Sequence, residues 1–330
     1  MLSKLTLSKL INGAKVLSSY WLSRLNGNPK HHGLPMSLSI EPTTACNLRC
    51  PECPSGLRSF SRPTGKMNLD LLGNILRDVE SHCTYINFYF QGEPYLHPQF
   101  LDMVKLCGSH GIYSATSTNA HFLDSEKAKK TVESGLDRLI ISIDGTDQST
   151  YESYRKEGDL SKVIQGTKNI LHWKKELKSS TPHVIFQFLV VKPNQHQIEE
   201  VKSLGKRLGV NEVKFKTAQI YDFKNGNELI PTLDNHSRYR QISDGKWEIK
   251  NPLDNHCWRM WSGAVITWDG RVVPCCFDKD AAHSMGNLQK ESFASIWNNS
   301  HYKQFRTSIL KSRSEVEMCK NCSEGTQVWG

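Results

Sequence analysis

Between residues 37 and 216 the chain repeats one pattern: a short β-branched and aromatic run, a loop, then a segment of helical periodicity. The strand-like runs are 37–43, 84–90, 112–117, 138–143, 183–191 and 212–216, and the helical ones 69–80, 100–110, 125–133, 162–176 and 198–208. Regular alternation of this kind predicts an α/β fold, a parallel sheet with right-handed crossovers. Six units are too few for a closed eight-stranded barrel, which leaves a partial barrel or an open doubly wound sheet. In both, the chemistry belongs to the loops at the carboxyl ends of the strands.

The alternation stops near Asn225. Residues 225–255 read as a polar linker, followed by Cys257, a hairpin over 264–268 and 271–274 turning at Asp269-Gly270, a helix near 293–307 and a last cysteine pair. The predicted division is therefore 1–36, an N-terminal helix and linker; 37–225, the barrel; and 226–330, a linker and a small cysteine-bearing domain.

Hydrophobic residues at 38% and charged residues at 23% describe an ordinary globular chain rather than a disordered one. A formal charge of +9 favours contact with anions without choosing among them, and no nucleic-acid partner is expected. Near the N-terminus, Leu10, Ala14, Leu17, Trp21 and Leu25 recur at helical spacing on a segment with a basic second face. Two readings stand for this amphipathic helix, packing against the main domain or lying on an anionic membrane surface. No stretch reaches the roughly 18 apolar residues of a membrane span.

Ten cysteines exceed what packing requires, and a chain this long without a clear signal peptide is no disulfide-stapled secreted domain. A reducing cytoplasm is the expected compartment. Cys46-Asn-Leu-Arg-Cys50-Pro-Glu-Cys53 follows directly on the first strand. Three thiolates in one short loop are metal ligands, since soft sulfur selects iron–sulfur clusters, zinc or cuprous copper. Structural zinc takes four ligands, and this loop offers three without a nearby histidine. A four-iron cluster on three cysteines keeps one iron open.

Cys-x3-Cys-x2-Cys after the first barrel strand resembles the signature of the radical S-adenosylmethionine superfamily. Gly92-Glu93-Pro94 at the end of the second strand resembles its glycine–glutamate motif, with Gln91 in place of the more usual first glycine. Thr118-Asn119 after the third strand, Ser142-Ile-Asp144-Gly145 closing the fourth, and Arg155 beyond it complete the likeness, which covers about 37–216. The resemblance implies a partial (βα)6 TIM-like barrel. It implies a [4Fe-4S] cluster on Cys46, Cys50 and Cys53, and S-adenosyl-L-methionine held by Gly92, Glu93, Pro94, Asn119, Ser142, Asp144 and Arg155. The family often has an aromatic residue before the third cysteine; here it is Glu52.

Cys257, Cys275, Cys319 and Cys322 form a second set, with gaps of seventeen and forty-three residues before a closing Cys-x2-Cys. Taken alone, four cysteines fit zinc or an iron–sulfur cluster equally. With Gly270, Gly286-Asn287-Leu288 and Ile296-Trp297-Asn298, they resemble the auxiliary-cluster module called SPASM or twitch. This implies one auxiliary [4Fe-4S] cluster, with Cys275 preferred over Cys276 by its distance from Gly270. Cys83 and Cys107 read as packed thiols, Trp258, Trp261 and Trp268 as the core of the small module, and Lys214 and Lys216 as side chains facing one way from the sixth strand.

The closest analogues in cysteine spacing are the radical aminocyclitol dehydrogenases. By this resemblance the enzyme cleaves its cofactor to a 5′-deoxyadenosyl radical with an electron from an external one-electron reductant such as flavodoxin or ferredoxin, abstracts a hydrogen from a small-molecule substrate and passes an electron from the substrate radical to the auxiliary cluster. A peptide substrate, or a non-catalytic electron carrier, are the other readings.

Overall fold

The computed structural model of the chain describes residues 4–328. Strands β1 (Ser37–Ile40), β2 (Tyr85–Asn87), β3 (Tyr113–Thr118), β4 (Arg138–Ser142), β5 (His183–Val190) and β6 (Glu212–Thr217) lie side by side in chain order, all parallel. Successive strand residues point to opposite faces. Leu38, Ile40, Ile86, Leu139, Ile141, Val184, Phe186 and Phe188 are buried in the main core. The other face carries Ser39, Asn87, Ser117, Ser142 and Gln187, so the lumen of the barrel is polar.

The helices are α1 (Leu7–Asn26), α2 (Pro54–Leu57), α3 (Leu69–Val79), α4 (Phe100–Ser109), α5 (Ser125–Glu133), α6 (Gln148–Tyr154), α7 (Leu160–Glu176) and α8 (Ile198–Leu208). Their starts are set by short polar side chains that accept an otherwise orphaned backbone N–H. Asn68 caps α3 through Asp70 N, Asp124 caps α5 through Lys127 N, and Asp147 caps α6 through Thr150 N.

The second part departs from expectation in three ways. Residues read as a polar linker fold into an antiparallel hairpin, β7 (Tyr239–Ser243) and β8 (Lys246–Ile249), and bury Leu229, Ile230 and Tyr239 against Leu48, Cys50 and Tyr154. After α9 (Arg259–Ser262), strand β9 (Gly263–Ile266) pairs in parallel with β1, from Ser37↔Gly263 to Ile40↔Ile266. Strands β10 (Arg271–Val273) and β11 (Gly286–Asn287) extend the sheet antiparallel, giving the order β11-β10-β9-β1-β2-β3-β4-β5-β6. The expected hairpin thus adds to the barrel sheet rather than standing apart. Finally, the single helix read near 293–307 is two, α10 (Phe293–Trp297) and α11 (Ser300–Ser312), because the Asn299 side chain accepts from Tyr302 N and starts a new helix.

Candidate active site and metal-binding thiols

The loop leaving β1 carries Cys46, Cys50 and Cys53, all free thiols. Neighbouring strand ends fix its course. Glu93 N donates to Ala45 O at 2.7 Å and Arg49 N to Lys156 O at 3.0 Å. Gly92 has φ +77°, and a Cβ there would stand 2.2 Å from Thr43 O, so only glycine lets the β2 end press against the cysteine loop. Gly92 N donates to Ser55 Oγ at 2.8 Å. Gln91, the departure from the family motif, sends its Oε1 to Ser55 Oγ at 3.4 Å and to Cys53 Sγ at 3.9 Å. The amide therefore braces the loop from the place where a glycine would leave space.

All three thiols line one cavity of about 160 Å³ together with Gly92, Glu93, Asn119, Ser142 and Arg155, and with Tyr89, Ser117 and Tyr154, which the sequence reading passed over. Tyr89 was within reach of sequence logic, since it continues the lumen-facing parity of Tyr85 and Asn87. Burial pushes the Cys46 thiol up to about 12 and raises Cys50 as well, against the pull of the Arg155 guanidinium. Ligation by these sulfurs would therefore release protons.

Glu93 is fully enclosed and already committed: Oε1 accepts from Thr118 Oγ1 at 2.7 Å and Tyr95 N at 3.2 Å, and Oε2 from Asn119 N at 2.8 Å. A carboxylate has about four acceptor positions, so one remains for a bound amine. Asn119 Nδ2 donates to Asn47 Oδ1 at 2.8 Å, tying the β3 end to the cysteine loop. Arg155 does not stand free for a ligand carboxylate. Its Nε pairs with buried Asp144 at 2.5 Å while Nη1 reaches Cys50 Sγ at 3.9 Å. Asp144 in turn accepts from Leu189 N at 2.7 Å. Asp144 and Pro94 do not line the cavity; Asp144 holds Arg155, and Pro94 opens the 3-10 turn Pro94–Leu96. Glu52 accepts from Tyr221 N at 2.9 Å.

The donor chemistry fits an iron–sulfur cluster. The lining holds three soft sulfurs, and its one carboxylate is taken up by the chain, so the protein offers no fourth ligand. Among the described residues no three His, Cys, Asp or Glu side chains converge on a single ion.

The second set gathers around Cys257, which lies within Coulombic reach of Cys275, Cys319 and Cys322. Arg313, buried beneath them, donates from Nη2 to Cys322 Sγ at 3.3 Å and from Nη1 to His256 O at 3.0 Å. Cys276 keeps its thiol against that of Cys275. It receives Arg259 Nη1 at 3.8 Å and faces Tyr89 and Lys279. Cys83 and Cys107 are buried in the apolar core, remote from both sets.

Two connections join the thiol sets. Asn321, between Cys319 and Cys322, donates from Nδ2 to Ile220 O at 2.7 Å and accepts from Tyr239 Oη at 2.8 Å, while Tyr221 holds Glu52 beside Cys53. The other is Lys279. Its carbonyl accepts from Arg62 Nε at 3.3 Å, the next residue, Asp280, accepts from Ser61 N at 3.0 Å, and Arg62 forms a fully buried bidentate pair with Glu41 at the end of β1, at 2.6 and 2.9 Å. The Lys279 ammonium lies 4.7 Å from the Tyr221 ring centre, and among the described residues no carboxylate comes within ion-pair distance of it. Burial lowers its pKa, while Cys53, Cys276 and Glu52 act in the opposite sense. No sequence pattern marks it.

An incomplete βα barrel with three thiols after its first strand, and four more in the segments before and after the strands added at that strand's other edge, defines an iron–sulfur barrel enzyme. The chain belongs to the radical SAM superfamily, whose profile matches residues 40–204, and it carries an iron–sulfur cluster-binding domain of the SPASM type over residues 257–323. It is a radical SAM enzyme, with S-adenosylmethionine, a [4Fe-4S] cluster and auxiliary iron–sulfur binding as its cofactor set. It is 27% identical to a tungsten-containing aldehyde ferredoxin oxidoreductase cofactor-modifying protein of Pyrococcus furiosus, over 87% of this chain and 86% of that one. It is 24% identical to the PqqA peptide cyclase of Gluconobacter oxydans, over 90% and 85%. Among solved structures, BtrN in complex with AdoMet and 2-DOIA matches with a TM-score of 0.56 at 19% identity, covering 91% of this chain and 96% of that one. Streptococcus suis SuiB bound to its precursor peptide SuiA matches at 0.65 and 14% identity, covering 97% and 76%.

Proposed function

We propose that this enzyme oxidises a small-molecule substrate held between the two thiol sets, losing a hydrogen atom at the barrel and an electron at the C-terminal cysteines. The observation that carries this reading is Lys279, on a loop that Arg62 and Asp280 lock to the segment after the first cysteines, with its ammonium 4.7 Å from the Tyr221 ring centre and in the field of both Cys53 and Cys276.

In this reading Cys46, Cys50 and Cys53 ligate the first cluster. Gly92, Glu93, Asn119, Ser142 and Arg155 surround S-adenosylmethionine, with Pro94 and Asp144 acting through them. Bound there, the cluster supplies one electron that breaks the sulfonium C–S bond, giving methionine and a 5′-deoxyadenosyl radical. The remaining acceptor position of Glu93 receives the methionyl amine, and Tyr154 and Leu48 keep water from the thiols. For a secondary alcohol, removing the carbon-bound hydrogen leaves a carbon radical. Loss of the hydroxyl proton and one electron then yields the ketone. Lys279 meets the substrate oxygen, and Cys257, Cys275, Cys319 and Cys322 would hold a single auxiliary cluster able to accept the electron. The initiating electron comes from an external reductant of the flavodoxin or ferredoxin kind, in a reducing cytoplasm.

Anaerobic reconstitution tests the assignment. About eight irons per chain and 5′-deoxyadenosine formed with dithionite are expected; tightly bound zinc and no such product would overturn it. Lys279→Met should lower substrate turnover about tenfold or more while leaving substrate-free cofactor cleavage intact, measured as product against 5′-deoxyadenosine. Equal loss of both would remove Lys279 from the substrate site.

A further inference from the structure

Helix α1 is turned inside out relative to an ordinary surface helix. Its buried side joins Val16 and Tyr20, which enter the main core, to Lys9, Ser19 and Ser23. Lys9 Nζ donates to Gly111 O at 2.8 Å, and Tyr20 Oη meets His256 Nδ1 at 2.9 Å. The outer side carries Leu7, Leu10, Ile11, Trp21, Leu22 and Leu25, each at least 45% exposed and Leu25 81%. Leu7, Leu10 and Ile11 at one end and Trp21, Leu22 and Leu25 at the other repeat at three and four residues, and with exposed Ala14 and Ser18 between them they share one face. Of the eleven exposed large hydrophobic residues described in the chain, six are on this one helix. Isolated exposed leucines need no explanation, but a continuous row does.

The charge around the row has one sign. No Asp or Glu precedes Glu41, whereas Lys15, Arg24 and Lys30 flank the exposed face, and the Arg24 guanidinium lies 4.8 Å from the Trp21 ring centre. An aromatic ring beside a cation at the edge of an apolar stripe is the composition of a helix in a lipid headgroup layer. Among the described residues no helix is long and apolar enough to cross a membrane. A second copy stacked on the same face would bring these cations against each other with no carboxylate on the helix to pair them.

The position of α1 sets an orientation. Lys4 Nζ reaches Asp137 at 2.6 Å and Ile112 O at 3.2 Å, just ahead of β4 and β3, so the helix crosses the amino ends of the strands. The cysteine cavity is at their carboxyl ends. We propose that the outer face of α1 docks the enzyme on an anionic phospholipid surface, amino ends of the strands toward the membrane and cysteine sites toward solution.

Co-sedimentation of the full chain with vesicles tests this. Vesicles of phosphatidylcholine containing phosphatidylserine should bring the protein down, phosphatidylcholine alone much less, and added salt should weaken the binding. The variant Leu10→Glu/Leu22→Glu should bind the anionic vesicles at least about tenfold more weakly, with unchanged 5′-deoxyadenosine formation. No sedimentation with either vesicle, or equal sedimentation of the variant, would overturn the proposal. So would a lipid-free dimer that the same variant dissolves, which would make this face a contact between copies.

Discussion

Gly92 is where the demands of backbone and cofactor meet, because the Gly-Glu-Pro turn and the cysteine loop touch at a carbonyl that leaves no room for a methyl group. Gly92→Ala must open that contact and also adopt a left-handed backbone, so a loss of about 1–3 kcal/mol is expected. Thermal unfolding would read it, and iron counting should show loss at the barrel site with the C-terminal site retained. The cysteine offsets were readable because sulfur ligands must be close in the chain to share one loop. The role of Glu93 was readable only in part. Its partners Thr118 and Asn119 lie at the end of another strand, and the two bonds they make exist only once β2 and β3 are adjacent, whereas the Tyr95 bond is a local cap. Arg155, read as one of the residues that hold the cofactor, also forms an internal pair with Asp144 eleven residues back, a contact that sequence spacing does not reveal.

At the level of elements, the hairpin β7–β8 has a structural task that the word linker hides. Tyr239, its first residue, receives Ile220 N at 2.8 Å on the same hydroxyl that meets Asn321. Tyr239→Phe should leave that amide and the Asn321 side chain short of a partner and cost about 1–3 kcal/mol, read by chemical denaturation. If stability is unchanged, the hydroxyl is not what ties the Cys-x2-Cys turn to the barrel. The six barrel strands were legible because a core-facing strand needs an unbroken β-branched and aromatic run. The hairpin strands bury little, so hydrophobic periodicity is silent there. Its signal was Asp244-Gly245, with Gly245 at φ +65°, a dipeptide that favours two-residue turns. The expected helix over 293–307 missed the break because Asn298-Asn299 are compatible with a helix by propensity and decisive only as a cap.

Across the whole molecule, the N-terminal segment and the C-terminal module meet at His31. Its Nε2 faces Trp261 O at 3.3 Å and its Nδ1 faces the Trp297 indole N–H at 3.3 Å, so the neutral ring donates on one side and accepts on the other. Burial, aided by Arg306, lowers its pKa to about 3 from 6.5. Between these values the unfolded chain binds the proton and the folded one does not, so stability rises with pH and is lost on acidification from pH 6.5 downward. A fall of about 1–2 kcal/mol between pH 7 and pH 5 is expected from this ring, measured by urea denaturation, and His31→Gln should flatten that slope.

Strand β1 is flanked by β2 on one side and β9 on the other, partners separated by most of the polypeptide. While a ribosome is still extending the chain, one margin of β1 therefore stays bare until residues 263–266 emerge, and distant pairings of this kind form slowly. For that interval the three thiols of the β1 loop hang from a strand whose second neighbour does not yet exist. A chain cut short ahead of β9 would keep an adhesive border beside the cysteine loop.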